Sequence, residues 1–473
     1  MAKARLGFLD KDEIERVYGT ALRILEEVGV KIGSEEVTRV LAASGARTSD
    51  DGERMFFSED LVKWALKAAP KSVLLAGTDA SHDITIPSEE RRMYVANGGE
   101  GVSLVNMLTD ERRPTRTEDL RDFAILVDEL PQVDFFWPMV GALEQPSEIK
   151  EVVEFKTSLE WSSKHIQSGA MTAQQARKML DMAGPLVDGG ENLARRPIFS
   201  AVQCPISPLS FERGLIEAQV AFSRAGIPIV AMSASVAGLT SPVTISGTVA
   251  QTTAENLASL IVTQAAKEGA PFIFSSDSSP GDLKSGSIDY GALETSLFRA
   301  AAGQVGEYLR LPKMVAGIGL ENLSVAIGNI WEGVAYVANQ SLIPSDLGSG
   351  LGGTDQAVGA SLEQLVLDAW VWDAAKEFAR DFDFGEGAIS FDTIKAAGLD
   401  GNFLAKRHTS LRFRGESVAT RIPCAALSSR LEASSRKAAI TDAREEALRI
   451  LGEAHEPKLD STLSEEIDRI MRA

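Results

Sequence analysis

From about residue 120 the chain alternates short apolar runs with longer amphipathic stretches, a pattern that very few architectures accommodate. FFWPMV begins at 135, HIQSGA at 165, PIFSAVQC at 197, PIVAMSAS at 228, PFIFSSD at 271, PKMVAGIG at 312 and SLIPSDLG at 341. Between them lie stretches such as AENLASLIVTQAAKEGA, where Leu257, Leu260, Ile261 and Gln264 recur at helical spacing. Strand-length apolar runs separated by helices imply a parallel sheet covered by helices. About seven or eight such units over roughly 250–300 residues fit a closed (β/α)8 barrel of the TIM type better than an open doubly wound sheet. No strand is followed by GxGxxG with an acidic residue at the right distance, which counts against a dinucleotide fold. GSGLGG at 348–353 lacks the Lys-Ser/Thr ending of a phosphate-binding loop.

The sequence divides into three regions. Residues 1–120 read as an α+β cap: Tyr18, Leu22, Leu25 and Val28 give a helical stripe, and SHDITIPSEERRMYVANGGEGVS gives short strands broken by Gly and Pro. Residues 121–425 hold the barrel. Residues 426–473 read as helices that pack on the barrel or on a partner subunit.

Composition narrows the functional classes. A net charge of −19 repels phosphate backbones and anionic lipids, so no nucleic acid or membrane partner is expected. The opening MAKARLGFLDKDEIERVYG has no long apolar core of a signal peptide, and the expected location is cytoplasmic. Cys204 and Cys424 form no CxxC pair and no cluster with the four histidines, so no directly bound metal is expected and both read as packing residues.

If the barrel reading holds, the residues after each strand share one mouth, where barrel enzymes place their chemistry. Trp137-Pro138, His165 to Ser168, Gln203-Cys204-Pro205, Ser233 to Ser235, Ser275 to Asp277, Gly317 to Gly319 and Ser345-Asp346 are then neighbours. Small polar groups dominate, with Asp277 and Asp346 as the ionised exceptions.

Several stretches resemble the trimethylamine methyltransferase (MttB) family. LRILEEVGVKIGSEEVTRVLAASGA and DERRPTRTEDLRDFAILVDELPQVDF resemble its N-terminal half, GAPFIFSSDSSPGDLKSGSIDYGALETSLFRAAAGQVGEYLRLP its barrel, and GNFLAKRHTSLRF its C-terminal signature. The resemblance covers nearly the whole chain. It implies a barrel that moves a methyl group from a methylated amine to the cobalt of a corrinoid (cobalamin) carried by a separate corrinoid protein, in an enzyme expected to be a homo-oligomer. The founding members carry pyrrolysine, and this chain has none. Members without it resemble demethylases of quaternary amines such as glycine betaine, proline betaine or carnitine, whose nitrogen is already cationic and leaves as a neutral amine.

Such a site positions its ligand and needs no protein nucleophile. A trimethylammonium head favours aromatic faces and nearby carboxylates, and a carboxylate tail favours His, Arg, Asn or backbone donors. Candidates for the head are Phe136, Trp137, Tyr290, Trp331 and Tyr336, with Asp277 and Glu294 as compensating charges. Candidates for the tail are His165, His408, Asn322 and Arg407. Each has a structural alternative: Trp137 a core plug, Trp331 and Tyr336 the packed face of one helix, Asp277 an Asx turn, Glu294 a first-turn carboxylate facing the helix dipole, and His165 the closed end of the barrel. A non-catalytic binding or regulatory relative would keep the same positioning residues.

Overall fold

The structure is a computed structural model that describes residues 6–292, 294–319, 337–376, 383–399, 401–416 and 436–472. Seven parallel strands form one sheet: β1 (Tyr94–Asn97), β2 (Ile166–Ser168), β3 (Phe199–Gln203), β4 (Ile229–Ser233), β5 (Phe272–Ser276), β6 (Lys313–Val315) and β7 (Leu347–Leu351). Their spatial order is β1-β7-β6-β5-β4-β3-β2. Pairing is tightest at the centre, where β4 and β5 run in register from Ile229 opposite Phe272 to Ser233 opposite Ser276.

The sheet curls until one segment lies between its two edges. Ala96 of β1 bridges Phe135, and Phe136 bridges Ile166 of β2, both in the parallel sense. The expected run FFWPMV therefore contributes isolated bridges instead of a ladder, with Phe135 and Phe136 reaching the two edge strands and Val140 reaching Gly101. Pro138 lacks the N–H that would extend it. The ladder has seven strands where eight were expected.

Two boundaries also differ from the sequence reading. β1 comes from the stretch assigned to the cap. β7 starts at Leu347, not at 341, because Pro344 interrupts the apolar run SLIPS. Asp346 thus sits at the amino end of a strand and not at the mouth. There it is buried, accepts from the Lys313 backbone N–H at 3.0 Å and pairs with Lys313 Nζ at 3.3 Å.

Alternation along the strands sorts side chains between two cores. Ala96, Phe135, Val230, Met232, Ile273, Met314 and Leu347 meet inside the curl. Val73, Leu75, Ile84 and Ile86, from an antiparallel pair of short strands, join them and close the amino end. The intervening Ile229, Ala231, Phe272 and Phe274 face outward onto the helices.

The N-terminal helices Lys11–Arg23, Glu35–Ala43 and Glu59–Ala68 start at the side-chain caps Asp10, Ser34 and Ser58. All three pack against the flanking helix Ile245–Ala266, which is buried along most of its length. They clad the side of the sheet and leave the carboxyl ends of the strands open. At the other terminus, Arg436–Leu451 packs on Leu362–Lys376, and Ser461–Arg472 packs on Lys150–Trp161 and Ala173–Ala183. Buried Ile467 and a 2.7 Å Lys156–Asp468 pair seat this last helix on its own chain. No helix among the described residues is long and apolar enough to cross a membrane.

Candidate functional site

A cavity of about 80 Å³ opens at the carboxyl ends of the strands. At roughly 10–15 Å³ per water in this measure, it has room for a small ligand. Its lining comes from consecutive strand ends: Gly98 and Gly99 after β1, Trp137 after the bridging segment, Met232 on β4, Asp277 after β5, Gly317 after β6, and Ser349 with Gly350 on β7. Tyr290 and Ala357 complete it from two loops.

Of the sequence candidates, Trp137, Asp277 and Tyr290 come together here. The Tyr290 hydroxyl donates to Asp277 Oδ2 at 2.6 Å, and the Asp277 N–H is fixed on the Ser233 carbonyl at 2.9 Å. Burial pushes the Asp277 carboxyl up to about 6, while the Tyr290 hydrogen bond and the charge of Arg299 pull the other way. Near neutral pH the group is mostly ionised and is short of positive charge. Tyr290 is held in turn by Gln356, whose Oε1 accepts from the Tyr290 N–H at 2.9 Å. Gln356 lies in a run of three left-handed residues, Asp355, Gln356 and Ala357, with φ of 54°, 61° and 64°. Such strain persists where surrounding contacts enforce it, and sites are where it collects.

Trp137 is clamped by a residue the sequence reading missed. Buried Asn97 accepts from the Trp137 N–H at 3.1 Å and donates to its carbonyl. The indole lies against Gly99 so closely that a β-carbon there would collide with the ring. The small residues of NGG thus let an aromatic wall lie flat on backbone.

Arg299 is the second missed residue. It is 1% exposed, and its Nε and Nη2 have no hydrogen-bond partner among the described residues. Only Nη1 reaches an acceptor, Gln340 Oε1 at 3.4 Å. Its Nη2 abuts Gly317, a wall of the cavity, so that a β-carbon there would collide with it. A buried guanidinium left short of acceptors is costly and calls for an anion. The signal was present in SLFRAAAGQVGEYL, a helix whose Arg stands next to an otherwise small and apolar face.

The other candidates lie elsewhere. Phe136 is fully buried among apolar side chains behind the sheet. Glu294 is exposed at the start of helix Thr295–Tyr308. His165 is fully buried immediately before β2, at the amino end. Its Nδ1 meets the Ala76 carbonyl at 2.9 Å and its Nε2 meets Ser200 Oγ at 3.0 Å. Burial pushes its pKa down to about 4, so the ring is neutral, with Nδ1 as donor because a carbonyl can only accept. Arg407 is exposed and His408 half-buried on helix Arg407–Glu416, where His408 Nε2 lies 2.7 Å from Ser390 Oγ. Asn322, Trp331, Tyr336 and Cys424 lie outside the described residues.

Cys204, expected to be a packing residue, is exposed at the mouth. The protein packed around it, then the charges of Glu100 and Asp277, push its thiol pKa up, which favours the protonated form. Among the described residues no group of three His, Cys, Asp or Glu side chains is placed to hold a metal.

A curled parallel sheet wrapped by helices, with its cavity at the strand carboxyl ends, defines the class of βα-barrel-like enzymes. Residues 2–472 match the profile of the trimethylamine methyltransferase family. Trimethylamine methyltransferase MttB of Desulfitobacterium hafniense is 27% identical over 411 residues, covering 87% of this chain and 82% of that protein. A glycine betaine methyltransferase from another strain of that species is 23% identical over 427 residues, covering 87% and 85%. In fold, the crystal structure of the Methanosarcina barkeri monomethylamine methyltransferase superposes with a TM-score of 0.51 at 12% identity, covering 95% of this chain and 96% of that one. The chain therefore belongs to the trimethylamine methyltransferase family and is a methyltransferase.

Proposed function

We propose that the protein demethylates a zwitterionic quaternary amine of the betaine type, such as glycine betaine, proline betaine or carnitine, and passes the methyl to a corrinoid held by a partner protein. The observation that carries this reading is the meeting of Trp137, Asp277 and Tyr290 around one cavity. The indole face and the carboxylate suit the trimethylammonium head. Arg299, behind Gly317, suits the carboxylate tail. The reading takes residues 134–137 as filling the eighth place of a (β/α)8 barrel.

The rim fits a broad acceptor, because Gly98, Gly99, Gly101, Gly317, Gly350, Gly353 and Gly359 line the cavity and raise no side chains into it. Carried by its partner, a reduced corrinoid would supply the nucleophile that takes the methyl carbon, and the C–N electron pair would leave with the neutral amine. The chain's own residues then have three tasks: to hold the nitrogen, to aim one methyl outward, and to keep water out. Asp277 attracts the substrate's charge, which vanishes as the amine becomes neutral. Its contribution therefore falls on binding and orientation and not on the barrier itself.

The test mixes purified enzyme, its corrinoid partner in the cobalt(I) state and a panel of methylated amines, and follows demethylated product by mass spectrometry. Turnover of a betaine in preference to tetramethylammonium is expected. Binding without turnover of any amine would make the protein a binding relative and overturn the reading. Preference for an amine without a carboxylate would overturn the substrate class.

A further inference from the structure

Helix Ile245–Ala266 is held to the sheet by two kinds of side chain. Leu257, Leu260 and Ile261 sit in the apolar core. Just before them, Gln251, Thr252, Glu255 and Asn256 follow one another at helical spacing, which puts them on one face, and all four are buried. That face reads the ends of β4 and β5.

Among the described residues, five neutral donors converge on the Glu255 carboxyl. Its Oε1 accepts from the Leu209 N–H at 2.9 Å and from Gln251 Nε2 at 3.1 Å. Its Oε2 accepts from the hydroxyls of Ser207 at 2.8 Å, Ser235 at 3.3 Å and Ser233. Asn256 grips the Ser275 backbone twice, donating to its carbonyl at 2.9 Å and accepting from its N–H at 3.0 Å. Thr252 Oγ1 lies 2.9 Å from Ser278 Oγ.

These contacts surround Asp277. Ser275 and Ser278, which flank it in the chain, are both held from the helix. The Asp277 N–H is fixed on the carbonyl of Ser233, whose hydroxyl meets Glu255. Apolar side chains alone would bury a helix at less cost, since every buried polar group must be matched. What the hydrogen bonds add is direction.

We propose that Glu255, acting through Ser233, and Thr252, acting through Ser278, are positioning residues that set where the Asp277 carboxylate stands in the cavity. The inference rests on the reading of Asp277 as the group that holds the ligand's cation. Neither residue lines the cavity, so each acts only through its serine. Misplacing a binding group by about 1 Å can cost on the order of 100-fold in rate, and a charged group at a strand end has no ladder beyond it to hold it still.

The test combines kinetics with a direct view of Asp277. E255Q keeps the shape of the side chain, and T252V removes one hydroxyl. Each is expected to raise KM for glycine betaine by about 3- to 10-fold, with kcat within about twofold of native. In a D277N background neither should raise KM further, because the group they place has lost its charge. The second readout is nuclear magnetic resonance of protein isotopically labelled at its aspartate carboxyls, where Asp277 is the signal that D277N removes. In both variants its titration midpoint should rise by about half a pH unit or more, as the Tyr290 hydrogen bond that lowers it loosens. Should E255Q fail to fold, T252V carries both readouts, and the titration decides alone if glycine betaine is not turned over. An Asp277 midpoint unmoved in T252V overturns the inference whatever the substrate. So does a rise in KM that is equal with and without D277N, the mark of a merely structural role. A moved midpoint with KM unchanged in D277N would sustain the positioning of the carboxyl and overturn instead the reading of Asp277 as holder of the cation.

Discussion

Asp277 carries the sharpest consequences. Its raised value of about 6 means that the carboxylate proposed to hold the cation protonates as pH falls through that point. KM for a quaternary amine should therefore climb below about pH 6 while kcat changes less. In Y290F the hydrogen bond that lowers the carboxyl is gone, so the same limb should move to higher pH. D277N should raise KM by about 30-fold or more. It should also stabilise the fold. A carboxyl whose folded pKa lies above its unfolded one disfavours the native state at high pH, and the penalty is relieved as pH falls through the folded value. The gain in Tm of D277N over the native enzyme should thus be larger at pH 8 than at pH 5, and an equal gain at both would remove the burial argument. For Arg299 the neutral isostere R299M removes an under-partnered charge. The expected outcome is intact folding with about a 10- to 100-fold loss of preference for a betaine over tetramethylammonium, read as a ratio of kcat/KM.

Among the elements, the site depends on how closely strand-end backbones approach. G99A should push the indole of Trp137 off its seat, lowering affinity while leaving the fold formed, and tryptophan fluorescence should report the displacement. At the opposite end, the buried Lys313–Asp346 pair ties the starts of β6 and β7. D346A should cost about 3–5 kcal/mol because it strands a buried ammonium, and K313M/D346L should recover most of that. Denaturant titration of both variants checks it. These two elements also show where sequence reading succeeded and failed. The runs PIVAMSAS and PFIFSSD were legible as central strands because unbroken apolar residues require burial on both faces. FFWPMV was legible as apolar but not as a set of isolated bridges, and SLIPSDLG placed Asp346 at the wrong end. Strand ends are set by partners and prolines, and hydrophobicity alone does not locate them.

For the molecule as a whole, the N-terminal helices and the last helix act as cladding that completes the outer core. Deleting Ser461–Arg472 exposes the faces of Lys150–Trp161 and Ala173–Ala183 that receive Ile467 and Asp468. The expected result is a Tm lower by several degrees with kcat/KM preserved at low temperature, measured by calorimetry and initial rates. The order of apolar runs and helices was enough to specify a parallel sheet wrapped by helices, because period and length of apolar segments are local properties. The same holds for the acidic balance and for Asp277 at the end of a central strand. Which residues meet was decided only in three dimensions. Trp137, Asp277 and Tyr290 converge because a curled sheet gathers its strand ends into one mouth. His165 lies at the other end because it precedes its strand. Arg299 became visible only when its neighbours did, since an unmet hydrogen bond is a property of a packed environment and leaves no mark on the order of residues.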